Sequence, residues 1–281
     1  LAALADVNRE DVINFANEYS NDLSSILYVH GNVSEEDAKE MADIVAKRFP
    51  ANASTLPLPE VKQLPAGQFS QVIEQEHPDN AFSLYIQGQA TDDNSRARMS
   101  LLTQILSAPY YQYMRTEQQL GYVVSAVNTQ LRDRGGISFV IQSPVASPDM
   151  LRDRTLAFMT VQERVLSEMS DEEFGANKGG LIAKLTQRDK NLSQRSKRYW
   201  ADLDRGVMTF DSNMQLAKAV SDLSKDDMQA FLKEVNGKLT PVGSTVDLAT
   251  ATYQNSIGAS ELLGSFTDPE FDPAQRAFYY L

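Results

Sequence analysis

Strand-type and helix-type segments are segregated along this chain, and their order constrains the fold more than any other feature. Short β-branched and aromatic runs occupy Phe69 to Gln75, Ala81 to Gln87, Leu120 to Thr129 and Ile137 to Ile141. One long helical pattern, Asp92 to Tyr113, interrupts them, with Met99, Leu102, Ile105 and Leu106 on one side. From Ser147 to about Val235 the periodicity is helical throughout. Starts are signalled at Ser147-Pro148, Ser170-Asp-Glu-Glu and Ser224-Lys-Asp-Asp227. Strands followed by a block of helices predict an α+β domain, an antiparallel-rich sheet with helices packed on one face. A last apolar segment, Ser244 to Leu248, offers that sheet one more strand.

The first 49 residues read as helix, strand, helix. Val12, Ile13 and Phe15 recur among acids between Asn8 and Tyr19; Leu23 to His30 has the content of a buried strand. Gly31-Asn32 punctuates it, and Ser34-Glu-Glu-Asp opens a helix whose apolar face is Ala38, Met41, Ala42 and Val45. This is too little for an independent domain and reads as the end of one. Residues 50–67 carry four prolines among small polar residues, the composition of a linker. The domain boundary is placed there.

Composition excludes several functions. A formal charge of −12, with Lys and Arg scattered among acids, opposes nucleic-acid and anionic-membrane binding. Zero cysteines remove disulfides, thiolate metal sites and cysteine nucleophiles. No apolar run approaches the roughly 20 residues that span a bilayer. The opening segment has no signal-peptide pattern and does not begin with Met, so a piece of a longer protein is expected.

Two residues stand out as candidate site residues. Arg115 and Tyr122 lie seven positions apart, across a break from helix to strand. Guanidinium and phenol both donate hydrogen bonds without themselves reacting. Each also has a plain structural reading: an Arg in a last helical turn offsets the helix dipole, and a Tyr opening a strand packs in a core. His30 closes a strand and His77 sits in the turn His77-Pro-Asp-Asn80; neither has an evident partner. Three ligands are the usual minimum for catalytic zinc, so no metal site is expected in this chain. Tyr110, Tyr111 and Tyr113 are read as helix packing rather than cleft lining, Tyr199-Trp200 as core, and Phe278 to Leu281 as a packing tail.

The string Arg115-Thr-Glu-Gln-Gln-Leu-Gly-Tyr122 resembles the Arg-Thr-x-Glu-Gln-Leu-Gly-Tyr pattern of the insulinase (pitrilysin-type, inverted zincin) metallopeptidases, departing from it at Glu117-Gln118-Gln119. SFVIQSP, RSKRYWADL around Tyr199 and Trp200, and YVHGN near His30 extend the resemblance over most of the chain. It implies four related α+β domains closing over a peptide, with zinc held by a His-x-x-Glu-His motif that this chain lacks. Residues 1–55 would then end the third domain, 56–65 link, and 66–281 form the fourth, non-catalytic domain. The implied function is the C-terminal half of a zinc metalloendopeptidase, inactive alone, partnered by the N-terminal catalytic half and by peptide substrates. Arg115 and Tyr122 would face the cleft, zinc would reside in the other half, and a bacterial periplasmic location would follow, with the cytoplasm as the other option. A competing reading is a catalytically inactive scaffold or binding subunit of the same fold, against which the Arg115 and Tyr122 pair speaks. An autonomous hydrolase using Asp or Glu has no discriminating motif.

Overall fold

In chain order the elements are α1 (Arg9–Asn21), α2 (Glu35–Arg48), β1 (Asn80–Gln87), α3 (Asp93–Tyr111), a π-helical turn (Gln112–Glu117), β2 (Val123–Asn128), β3 (Gly136–Ser143), α4 (Pro148–Glu168), α5 (Asp171–Leu185), α6 (Leu192–Asp204), α7 (Ser212–Asp222), α8 (Lys225–Leu239), β4 (Val246–Asp247) and β5 (Thr252–Tyr253). This computed structural model describes residues 4, 6–21, 25–49, 60–65, 67–74, 76–239, 246–247 and 252–253. They divide into two compact units: Leu1–Glu60 with Arg188–Phe210, and Val61–Gln187 with Asp211–Leu281. Much of the proposed linker, 50–59 and 66, lies outside the described residues, as do Phe278 to Leu281.

In the first unit the caps set the helices. Asn8 Oδ1 accepts from the Glu10 and Asp11 N–H groups and opens α1. Ser34 and Asp37 form a reciprocal capping box at α2, with acids in its first turn and Lys47 and Arg48 in its last. The expected apolar face of α2 buries nothing among the described residues; Met41 stays 45% exposed. The strand expected at Leu23 to His30 is absent over 25–30, because strand propensity forms no strand without a ladder partner; residues 23–24 lie outside the described set. Tyr28 and His30 instead pack on α6. The His30 Nδ1 lies 2.7 Å from Ser196 Oγ, and its ring meets Tyr199 edge-on at 5.3 Å. Arg198 pairs with Asp189 at 2.8 Å and stacks over Tyr199. Tyr199 is half-buried, but Trp200 is half-exposed rather than core.

The second unit is organised on a three-stranded antiparallel sheet, order β1-β3-β2. The period-2 alternation of β3 turns Ile137, Phe139 and Ile141 to one face, each fully buried, while Ser138, Val140 and Gln142 face the other way, half-buried. Phe82, Leu84 and Ile86 of β1 sit opposite them and pack on the same core. α3 and α4 cover this face. Asp92 caps α3, which buries Met99, Leu101, Leu102, Ile105 and Leu106, each worth about 1.5–3 kcal/mol relative to exposure. Tyr110 lies at the centre, 4.8 Å from the Phe139 ring and 5.2 Å from Phe158. Ser147 and Ser170 cap α4 and α5 as their sequence signals require, and Ser224 exchanges bonds with Asp227 at the start of α8.

Arg132, at φ 52, and the Leu131–Arg134 bridge turn β2 into β3. Gly136 is required there, since a Cβ would stand 2.5 Å from the Tyr85 ring. Arg134 is buried and donates from Nη1 to the Gly88 and Gln89 carbonyls, at 3.0 and 2.9 Å, clamping the hairpin to the loop after β1. Two strand expectations fail here. Residues 69–74 run without a ladder, leaving Val72 and Ile73 84% and 76% exposed, while Gln75 lies outside the described residues. Within Ser244 to Leu248, β4 pairs with β5 in a separate two-stranded sheet instead of joining the main one.

Candidate functional site

The helix that carries Arg115 loosens before it ends. Pro109 lacks the N–H that would close its own turn, and within three residues the chain passes from α3 into the π-helical turn Gln112–Glu117. The Gln118 N–H reaches the Tyr113 carbonyl at 2.9 Å, and Leu120 N–H the Met114 carbonyl at 3.0 Å. Met114 is fully buried beneath this turn, whereas Tyr111 and Arg115 point outward. Gln119 then takes a left-handed conformation, φ 53, and redirects the chain towards β2.

Gly121 gives the chain its tight entry to β2. Its backbone lies so close to β3 that a Cβ would stand 2.4 Å from the Gln142 carbonyl oxygen. Arg115 Nη1 donates to the Gly121 carbonyl at 2.8 Å, bracing the corner from the helix side. The Tyr122 N–H donates to the Gln142 carbonyl at 3.2 Å, one residue before β2 begins.

The side chain of Tyr122 is 48% exposed, so the core-packing reading of this residue does not hold. Its hydroxyl donates to Asp79 Oδ2 at 2.7 Å, and Gln142 Nε2 approaches the same oxygen at 3.3 Å. That bond to Asp79, followed by partial desolvation and the carboxylate's charge, raises the phenol pKa above its ordinary value. The hydroxyl therefore keeps its proton, and its donor capacity, at physiological pH. Asp79 was legible only as part of a turn; nothing in the sequence joined it to Tyr122 across 43 positions.

Arg115 and Tyr122 line one solvent-open groove of about 520 Å³, with Tyr111, Gln119, Pro144 and Val145 among its other walls. Of the three clustered tyrosines, Tyr110 is wholly buried and Tyr113 half-buried on Phe158, as helix packing requires. Tyr111 is the exception, exposed in the groove. The groove thus sets a guanidinium and a phenol, each already bonded once within the chain, beside aromatic and aliphatic surface.

The histidines are engaged elsewhere. His30 faces Ser196, a pairing the sequence did not reveal, inside the aromatic packing of the first unit. His77 Nδ1 accepts the Asp79 N–H at 3.1 Å. Among the described residues no three His, Cys, Asp or Glu side chains converge. No helix among them is long and apolar enough to cross a membrane.

The family model described as PQQ synthase PqqF-like, C-terminal lobe domain 4, matches residues 101–200, which include the groove. A second model, for a protein of unknown function, matches 205–281. The insulin-degrading enzyme of Drosophila melanogaster is 27% identical over 248 residues, covering 85% of this chain and 25% of that protein. The crystal structure of pitrilysin superposes with a TM-score of 0.63 at 27% identity, over 73% of this chain and 22% of that one. The chain is the C-terminal part of an insulinase-family protein. This insulinase-family chain spans about a quarter of the length of the curated relatives it matches. It shares its fold with the inactive domain of a peptidase M16 from Pseudomonas fluorescens, at a TM-score of 0.51 and 18% identity, over 73% of this chain and 49% of that one. It resembles the C-terminal inactive domain of the family's zinc metallopeptidases.

Proposed function

We propose that this insulinase-family chain is the non-catalytic C-terminal half of a zinc metalloendopeptidase, which encloses peptide substrates against a zinc-bearing N-terminal half. In this reading residues 1–55 end a third peptidase-like domain, 56–65 link, and 66–281 form the fourth. The zinc-bearing half would activate water and polarise the scissile carbonyl. The present chain would position the peptide backbone and donate hydrogen bonds to the oxygen on which charge develops. A periplasmic location belongs to the same reading.

The observation that carries it is the single groove shared by Arg115 and Tyr122. Guanidinium has five N–H donors, and bonding one to Gly121 leaves its charge beside the groove to hold backbone carbonyls. Tyr122 carries a protonated hydroxyl on an exposed ring. Neither group supplies a nucleophile or a general base here, which suits a supporting half rather than an independent hydrolase.

The test combines this chain with the upstream half and follows cleavage of a quenched fluorescent peptide. Each half alone should be inactive and the pair active. Tyr122→Phe should lower kcat by about 10²–10³, as loss of an oxyanion donor does elsewhere, with the melting temperature preserved. Unchanged kcat with a lower melting temperature would reduce Tyr122 to a packing residue. An assembled pair that binds peptide without cleaving it would instead favour the scaffold.

A further inference from the structure

Asp79 meets the Tyr122 hydroxyl from a braced frame. Its N–H donates to His77 Nδ1, the next residue begins β1 opposite Ser143, and Asn80 Nδ2 donates to the Ala146 carbonyl at 3.1 Å. Tyr122, by contrast, is anchored through its backbone on Gln142 and through its hydroxyl on Asp79, with nearly half of the residue in solvent. The carboxylate is the fixed partner and the phenol the one able to turn.

A phenol has one proton. While that proton lies on Asp79 it cannot be donated to a peptide oxygen, so the role proposed for Tyr122 must begin by breaking this bond. A hydrogen bond to a carboxylate is roughly twice as strong as one between neutral groups. A ground-state peptide carbonyl is a neutral acceptor and does not displace Asp79. The oxygen of a tetrahedral intermediate is anionic and competes on equal terms. Gln142 lowers the cost of the exchange, because its Nε2 already lies 3.3 Å from the same carboxylate oxygen and keeps it bonded when the phenol leaves.

We infer that Asp79 is a positioning residue that latches the Tyr122 phenol in the peptide-free groove and yields it to an anionic oxygen, with Gln142 taking over the carboxylate. The inference rests on Tyr122 acting as a donor in the assembled peptidase. It adds to that role a restraint that every turnover must release.

The experiment is a double-mutant cycle in the assembled two-half protein: parent, Asp79→Asn, Tyr122→Phe and both together, in steady-state peptide hydrolysis. Asparagine keeps the shape and an acceptor but removes the charge, so the hold on the phenol falls to that of a neutral hydrogen bond. With Tyr122 present, kcat should rise about fivefold while KM stays within about twofold, because the gain arises in the transition state. In the Tyr122→Phe background that rise should vanish. Gln142→Leu should act in the opposite direction and lower kcat. If Tyr122→Phe lowers turnover but Asp79→Asn leaves kcat unchanged, lowers it, or acts equally in both backgrounds, the latch is overturned and the donor role stands. If Tyr122→Phe leaves kcat unaltered, both fall together. Should Asp79→Asn fail to fold, Asp79→Ser supplies the same comparison.

Discussion

Replacing Gly121 with alanine tests how tightly the corner between α3 and β2 is built. The added Cβ would stand 2.4 Å from the Gln142 carbonyl oxygen and 2.9 Å from Ile141 Cγ2. The first distance is roughly 1 Å short of van der Waals contact. Neither neighbour can step aside, because both belong to β3, the central strand of the sheet. The chain entering β2 must move instead, which breaks the 3.2 Å bond from the Tyr122 N–H to Gln142, worth about 1 kcal/mol. Overpacking strain adds about 1–3 kcal/mol, for a total of roughly 2–4 kcal/mol. In a unit of about 200 residues each kcal/mol moves the midpoint about 2–4 °C, so the melting temperature should fall by roughly 4–16 °C. Gly180→Ala is the control. That glycine lies inside α5 with nothing within 4 Å of its Cβ position, so alanine there should stabilise by about 0.5–1 kcal/mol. Calorimetric melts of both variants in one buffer decide the matter. A Gly121→Ala melt at or above the parent, or shifts of the same sign in both variants, would refute the reasoning.

Three further outcomes are expected. Thr155 Oγ1 donates to the Leu151 carbonyl, so Tyr110 must be the donor in its 3.0 Å contact with Thr155; Tyr110→Phe should therefore cost about 1 kcal/mol in urea titrations. Burial raises this phenol's pKa above its ordinary 10.0. Below that value both states hold the proton; above it only the unfolded chain releases it, so stability should fall with rising pH, and Tyr110→Phe should flatten the fall between about pH 10 and pH 11. Limited proteolysis should nick within 50–67 before it attacks 92–113, given the four prolines there. First cleavage inside 92–113 would displace the proposed domain boundary.

What the sequence made legible was what neighbouring residues decide among themselves. The serine caps at 34, 147, 170 and 224 all mark helix starts, because a hydroxyl accepting an N–H three residues on is a local event. β1, β2 and β3 were readable from their β-branched and aromatic runs, whereas the turn joining the last two centres on Arg132 within the Leu131–Arg134 bridge. The strands expected at Leu23 to His30 and Phe69 to Gln75 were not realised in their described parts. Their composition suits a pleated surface, but a ladder needs a second edge, and composition does not say where one is. At the site the spacing of Arg115 and Tyr122 was legible and their common groove followed from the corner between them. The partner that holds the phenol, Asp79, was not, since it arrives from a turn on the far side of α3. Nor did the sequence reveal that Gln119, rather than Gly121, carries the left-handed backbone, or that α6 groups with the first 60 residues.

The π-helical turn at Gln112–Glu117 makes the groove sensitive to chain length more than to side-chain identity. An α-helix advances about 100° per residue, and a π turn holds one residue more than the helix needs. Deleting a single residue between 112 and 117 would let α3 continue as ordinary helix with its buried face unaltered. Residues within the turn would change their angle about the axis: Arg115 would swing away from the Gly121 carbonyl, and Met114 would lose its place over the core. The protein would fold along most of its length and lose the corner. A survey of tolerated changes should therefore find this stretch permissive to conservative replacement of Gln112 or Thr116 and intolerant of any gain or loss of a residue. The geometry of the groove is written there as a count.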